Sequence, residues 1–183
     1  MTSTRTRLGV VGIVLAVLIA AAALIDRHRN EATDRHPLIG DAELHVHGPV
    51  PDDADPQTVV AQALTAIFGW RPVSDTSAGA ALTRARPWLT DQLARDADSP
   101  PATGIRELPQ WSGWRASRDV IVAATHIEQA APPTDQQCNV TATITQTVVH
   151  FDGSTTVFRL LRAVAVVRRT ENGWRLASYR IVT

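Results

Sequence analysis

Lysine is absent from this chain of 183 residues; all eighteen basic side chains are arginine. Without a lysine amine, neither a Schiff-base enzyme nor a P-loop nucleotidase can be built. Cysteine is nearly absent. Cys138 stands alone, so no intrachain disulfide can form. No helix start lies near enough to lower its pKa, and it reads as a small buried hydrophobe rather than a nucleophile. Net charge is also missing, since eighteen arginines balance eighteen acids, and no overall field favours nucleic acid. No HExxH, CxxC, GxSxG or glycine-rich phosphate loop occurs. The bias to Arg, Ala, Val, Asp and Pro is expected of a GC-rich genome, such as that of an actinobacterium.

What the sequence does hold is one long apolar run. Leu8 to Ile25 contains eighteen residues without a polar side chain. As a helix it would be roughly 27 Å long, close to the thickness of a hydrocarbon core. A helix of a soluble core does not need apolar residues on every face. The run is therefore expected to be a single transmembrane helix. Arg5 and Arg7 precede it without an acid, while Arg27 and Arg29 follow it among Asp26, Glu31 and Asp34. Arginine counting alone is indecisive. The short tail 1–7 and the large remainder favour a cytoplasmic N-terminus and an extracytoplasmic C-terminal domain. The competing reading is a cleaved signal peptide processed near Ala21-Ala22-Ala23, although its apolar region would ordinarily be shorter.

Residues 26–55 hold Pro37, Pro49 and Pro51, two glycines and eight acids against three arginines. No period runs through them, so they read as a flexible tether. His45 and His47 precede Asp52, Asp53 and Asp55, but an unstructured segment would have to be ordered to hold a metal. They read as solvated tether residues.

The domain is expected over 56–183. Asp55 is a suitable N-cap and Pro56 a favoured first helical residue. Val60, Ala63, Leu64, Ile67 and Phe68 then recur at helical spacing, and Gly69 and Pro72 end the helix. A second helical stretch runs from Ser77, is kinked or restarted at Pro87, and stops at Asp98-Ser99-Pro100-Pro101. Residues 102–113 read as a loop. The period then changes. A strand is expected within Arg115 to Glu128, around Val120-Ile121-Val122. Over 138–151, Val140, Ala142, Ile144 and Val148 alternate with Thr141, Thr143, Thr145 and Thr147, which marks a half-buried strand. Asp152-Gly153 and Asn172-Gly173 signal hairpins. Residues 155–169 and 174–182 complete an antiparallel meander of about four strands. Apolar phase is lost between Arg159 and Arg162, so a β-bulge is expected there. Helices first and an antiparallel sheet after give an α+β class, with the helices covering one face of the sheet.

The helix 56–68, the segment Ala85-Arg86-Pro87-Trp88-Leu89-Thr90 and the closing pair around Glu171-Asn172-Gly173-Trp174-Arg175-Leu176 together resemble the cystatin-like, nuclear-transport-factor-like cone fold. The resemblance spans 56–183. Two membrane-anchored families share that fold and organisation. One is the bitopic scaffold of type IV secretion and conjugative transfer, including its TcpC-like members. The other is the Mce-associated membrane proteins that accompany lipid import. The long tether, with Phe68-Gly69-Trp70-Arg71-Pro72, looks more like the first. That resemblance implies a non-enzymatic subunit that self-associates or docks other subunits of an envelope complex, with no cofactor and no direct nucleic-acid contact. The second family would imply a small apolar ligand in the cone.

Candidate chemistry is sparse. His126 and His150 fall within strands, and Asp119 is seven residues from His126, so those two point to opposite faces. His126, Cys138 and His150 match no zinc spacing. Asp91, Asp96 and Asp98 read as a solvated helix side, and no two carboxylates are placed together as glycosidase chemistry requires. No catalytic, metal or cofactor residue is assigned. Trp88 and Trp174 read as core. Trp111 and Trp114, in a Gly/Pro loop, are candidate interface anchors, balanced against a loop tucked onto the domain. Arg168 and Arg169 are candidates for a basic rim.

Overall fold

The computed structural model describes residues 49–99 and 107–182. The apolar run Leu8–Ile25, the tail before it, and His45 and His47 lie outside the described residues. Among those described, no helix is long and apolar enough to cross a membrane.

Helix α1, Pro56–Phe68, begins as its sequence dictates. The Asp55 carboxylate accepts from Gln57 N at 2.8 Å, Thr58 N at 3.1 Å and the Thr58 hydroxyl at 2.7 Å. These bonds, the Thr58 hydroxyl foremost, hold the Asp55 carboxyl below the usual carboxylate range. Val59, Val60, Ala63, Leu64, Ile67 and Phe68 form its buried face. The chain turns out at Gly69, and Trp70 makes a two-way backbone bridge to Ile121, at 2.8 and 2.9 Å.

The second helical stretch is broken into short pieces. Helix α2, Ala81–Ala85, is flanked by 3₁₀ turns at Ala78–Ala80 and Arg86–Trp88, and helix α3 spans Asp91–Asp98. Pro87 is the cause of the break, because a proline nitrogen has no hydrogen to donate. Between the pieces, Leu89 is buried and Thr90 N donates to Leu176 O at 2.9 Å, tying the helices to the last strand. Trp88 is half-buried rather than in the core.

The sheet has four strands in sequence order, all antiparallel: β1 Val120–Ala130, β2 Gln137–Val149, β3 Thr155–Thr170 and β4 Gly173–Val182. This is the expected α+β meander. Along β2 the burial alternates without interruption from Cys138 to Val148, and threonines fill most of the other face. Helix α1 packs over the inner face, chiefly on β1 and β2. Leu64, Val59, Val60, Ile121, Ile144, Val140, Val167 and Leu176 fill the space between. Burying such side chains stabilises by about 1.5–3 kcal/mol each. Cys138 lies in this core, donates to Ala131 O at 3.3 Å, and has its thiol pKa pushed up by burial.

Three departures from the sequence reading have identifiable causes. Residues 111–117 form helix α4 instead of a loop. It ends where Arg118 takes a left-handed conformation, φ 58°, so β1 starts at Val120 rather than near Arg115. The bulge of β3 falls at Phe158, one residue before the expected window: Gln146 opposes Arg159 while Thr147 opposes Val157. Lastly, residues 51–55 belong to the folded domain. Pro51–Asp53 form a 3₁₀ turn against β4, where the buried Arg175 donates to Pro51 O at 2.9 Å and pairs with Asp52. Gly173, at φ 94°, admits this turn, since a Cβ there would stand 2.5 Å from Asp52 O.

Candidate interaction surface

The bulge at Phe158 decides what the sheet shows to each side. In a regular strand Val157 and Leu160, three apart, would face opposite ways. The extra residue brings both onto the outer face, and turns Phe158 and Arg159 together onto the inner one. Val157 and Leu160 are each 67% exposed. The register sets Val157 beside Thr147 and Val122, and Leu160 beside Thr145 and Ala124. Val122 is 45% exposed, and Phe151 on the adjoining hairpin 76%. Adjacent strands lie about 4.8 Å apart, so Val157 and Leu160 of β3 share the outer face with Val122 of β1, with Thr145 and Thr147 of β2 between them.

Polar groups border the patch. At one end Glu128, the extra residue of a bulge in β1, accepts from the Thr143 hydroxyl and from Arg162 Nε, the latter at 2.8 Å. Those two bonds hold its carboxyl below the usual range, the Thr143 bond contributing most. At the other end, Asp152 caps the β2–β3 hairpin by accepting from Ser154 N at 2.9 Å and the Ser154 hydroxyl at 2.6 Å. Around the edge of β1 the apolar surface continues into an open groove of about 400 Å³. Val120, Val122, Ala66 and Trp70 line it, with Arg71 and Arg84 at its side. Arg84 is held there by the buried Asp75, at 2.6 and 2.9 Å.

The side chains singled out in the sequence lie elsewhere. Trp111 and Trp114 are 1% and 8% exposed, so exposure as surface anchors is corrected. Three residues apart on α4, they share one helix face. That face closes on Trp70 and Phe158, with ring centroids 5.9 Å apart for Trp70–Trp111 and 4.9 Å for Trp114–Phe158. Arg168 and Arg169 are both exposed. Arg168 pairs with Asp91 at 3.0 Å, and Arg169 lies over the Trp174 ring, 5.4 Å from its centroid.

The register also makes an Asp–His approach that sequence spacing could not reveal. Val120 opposes Val149, which brings Asp119 next to His150 rather than His126. His150 Nδ1 is 3.2 Å from the buried Asp119 Oδ1, and Nε2 is 3.0 Å from the Thr156 hydroxyl. The row lines neither the β1 groove nor the cavity beside Trp111. Among the described residues, no three His, Cys, Asp or Glu side chains converge as a metal site requires.

No family model matches the chain, and no curated protein is similar to it. Solved structures with a partial likeness include the VirB8 protein of Agrobacterium tumefaciens, at 9% identity and a TM-score of 0.42, covering 69% of this chain and 88% of that one. The intermembrane space region of the chloroplast protein ARC6 has 14% identity and a TM-score of 0.37, covering 69% and 93%. A conserved protein of Planctomyces limnophilus has 19% identity and a TM-score of 0.35, covering 69% and 94%.

Proposed function

We propose that this protein is a membrane-anchored, non-enzymatic subunit of an envelope assembly of the conjugative or type IV secretion kind. In this reading Leu8–Ile25 spans the membrane with the N-terminus cytoplasmic. The tether gives reach, and the domain works outside through protein–protein contact. The observation that carries it is the exposure of Val122, Val157 and Leu160 on the outer face of the sheet, with Phe151 exposed on the adjoining hairpin. Exposed apolar side chains gathered on one face within a polar border are the make-up of a docking surface. The partner is taken to be a second protein subunit, either another copy or a different component, presenting an apolar face.

A photo-crosslinker placed at residue 160 in living cells tests the reading. Adducts to a discrete membrane-complex subunit or to a second copy are expected, and Val157→Glu should abolish them. Absence of any protein adduct would sink the docking surface. Carbonate-washed membranes should keep the full chain, and a reporter at the C-terminus should be active only outside the cytoplasm. Deleting the gene should abolish transfer by the associated system; normal transfer would exclude the conjugative role while leaving the docking surface open to its own test.

A further inference from the structure

The two edges of the sheet are finished differently. On β4, Thr90 N donates to Leu176 O, the turn Pro51–Asp53 lies against the strand, and the exposed Arg180 stands near its end. Cover and charge of this kind keep a strand edge from pairing with another chain. On β1 the outward side pairs, among the described residues, only with Trp70, through Ile121. Both main-chain groups of Ile121 thus point outward, and by alternation so do those of Ala123, Thr125 and Ile127. Among the described residues these have no backbone partner on that side. Residues 122–127 include no proline, Asp, Glu or Arg, and their pairing with β2 runs unbroken up to the bulge at Glu128. The usual guards of a strand edge are missing from this stretch.

The open stretch matches a second copy of itself. With a two-fold axis at Thr125, antiparallel pairing sets Thr125 opposite Thr125 and Ala123 opposite Ile127, each pair exchanging N–H and C=O bonds. On the inner face, Ile127 of the second copy then lies beside the small Ala123, at the groove of about 400 Å³ that Ala66 and Trp70 also line. The same register would carry Gln129 of the second copy onto Ile121, the place Trp70 holds. The bulge at Glu128 interrupts the strand one residue earlier, and a bulged strand bends aside. Charge agrees with this direction. The exposed Arg71 stands at the Ile121 end of the stretch and Glu128 at the other, so antiparallel copies set opposite charges together.

We propose that two copies of this chain pair through β1, antiparallel about Thr125, so that their sheets become one. The contact uses the edge of the sheet and leaves Val157 and Leu160 free, so it stands independently of the docking surface on the outer face. A foreign strand could follow the same ladder of main-chain bonds, but it would not produce the two-fold register of residues 123–127, and that register is what the test reads.

The test uses the full chain in detergent micelles, with Cys138→Ala throughout. One preparation carries Ala124→Cys and a second, differently tagged, carries His126→Cys. Across the axis Ala124 faces His126 of the second copy, with Cα atoms about 4.5 Å apart. That is within disulfide reach, whereas either position and its own counterpart stand beyond about 7 Å. A mild oxidant should link the mixed preparations into a dimer carrying both tags, at least about tenfold faster than it links either preparation alone. Thr125→Pro removes only an outward N–H, which an edge strand tolerates. Because Thr125 meets itself, a bond is lost from each copy, and mixed linkage should fall about tenfold. No mixed dimer, or equal linkage in the separate preparations, would overturn the proposal. If Thr125→Pro does not fold, Val122→Glu decides, since it sets a carboxylate opposite Glu128 of the second copy. Undiminished linkage in either folded variant overturns the pairing equally. A photo-crosslinker at residue 122 borders both surfaces; an adduct to a second copy that Thr125→Pro removes and Val157→Glu spares belongs to the edge.

Discussion

The side-chain amide of Gln146 donates to the backbone carbonyl of Phe68 at 2.6 Å, joining the middle strand of the sheet to the last residue of α1. Gln146 is wholly buried in a row of apolar residues, and its carbonyl oxygen accepts from Arg159. One amide therefore satisfies the end of a helix and a guanidinium at once. Gln146→Leu would fill the space but leave both partners without a bond. The expected loss is about 1–3 kcal/mol, read from urea denaturation as a lower midpoint at unchanged slope.

The outer patch gives the contrasting expectation. Val157 and Leu160 are mostly in solvent, so Val157→Glu and Leu160→Glu should each change stability by no more than about 0.5 kcal/mol. The double variant should fold, with wild-type circular dichroism, and yet fail to cross-link to its partner through a photo-crosslinker placed at residue 122. Loss of folding in both single variants would show that the patch is structural.

Gly173 is bound to its identity on two counts, a positive φ of 94° and a backbone oxygen 2.5 Å from any added Cβ. Gly173→Ala must strain the turn and push away Pro51–Asp53. The conformational part alone costs about 1–2 kcal/mol. The turn should also detach, which protease cleavage just before α1 would detect, with cleavage faster in the variant than in wild type.

Asp55 supplies a pH-dependent contribution. Its carboxyl is lowered, chiefly by the Thr58 hydroxyl, with desolvation opposing. A group whose folded pKa is depressed stabilises above its unfolded value, about 3.9, and that stability is lost as pH falls through the folded value. Asp55→Ala should cost about 1 kcal/mol near neutral pH. The difference between variant and wild type should shrink once the pH is brought below about 4. A difference that stays constant with acid would show that the cap's charge contributes nothing.

How much could be read beforehand differs from element to element. Asp55-Pro56 with its five following apolar residues, and the Val/Thr alternation of β2, are local patterns. Each depends on a helical or strand repeat and on neighbours a few residues away, so the α+β order and the cap of α1 were legible from the chain alone. Gln146 was visible as a polar residue on the apolar side of β2, the one signal that could have found the network, but its partners Phe68 and Arg159 lie on other elements. The burial of Trp111 and Trp114 was left open because Gly113 between them weakens a helical reading, and only packing against Trp70 and Phe158 supports that turn. Asp119 beside His150 was hidden for a different reason: which residues oppose each other is a property of two strands, set by the turn and the bulges between them.

The sequence by itself determined the class of elements, their order, the long apolar run and the absence of lysine chemistry, because these follow from side-chain type and short-range period. Tertiary structure alone decided the faces. One unpaired residue at Phe158 resets the alternation of β3, sending Val157 and Leu160 outward and Arg159 inward. A strand's neighbour, not its own residues, determines where such an insertion is absorbed, since the hydrogen-bond ladder must close on both sides of it.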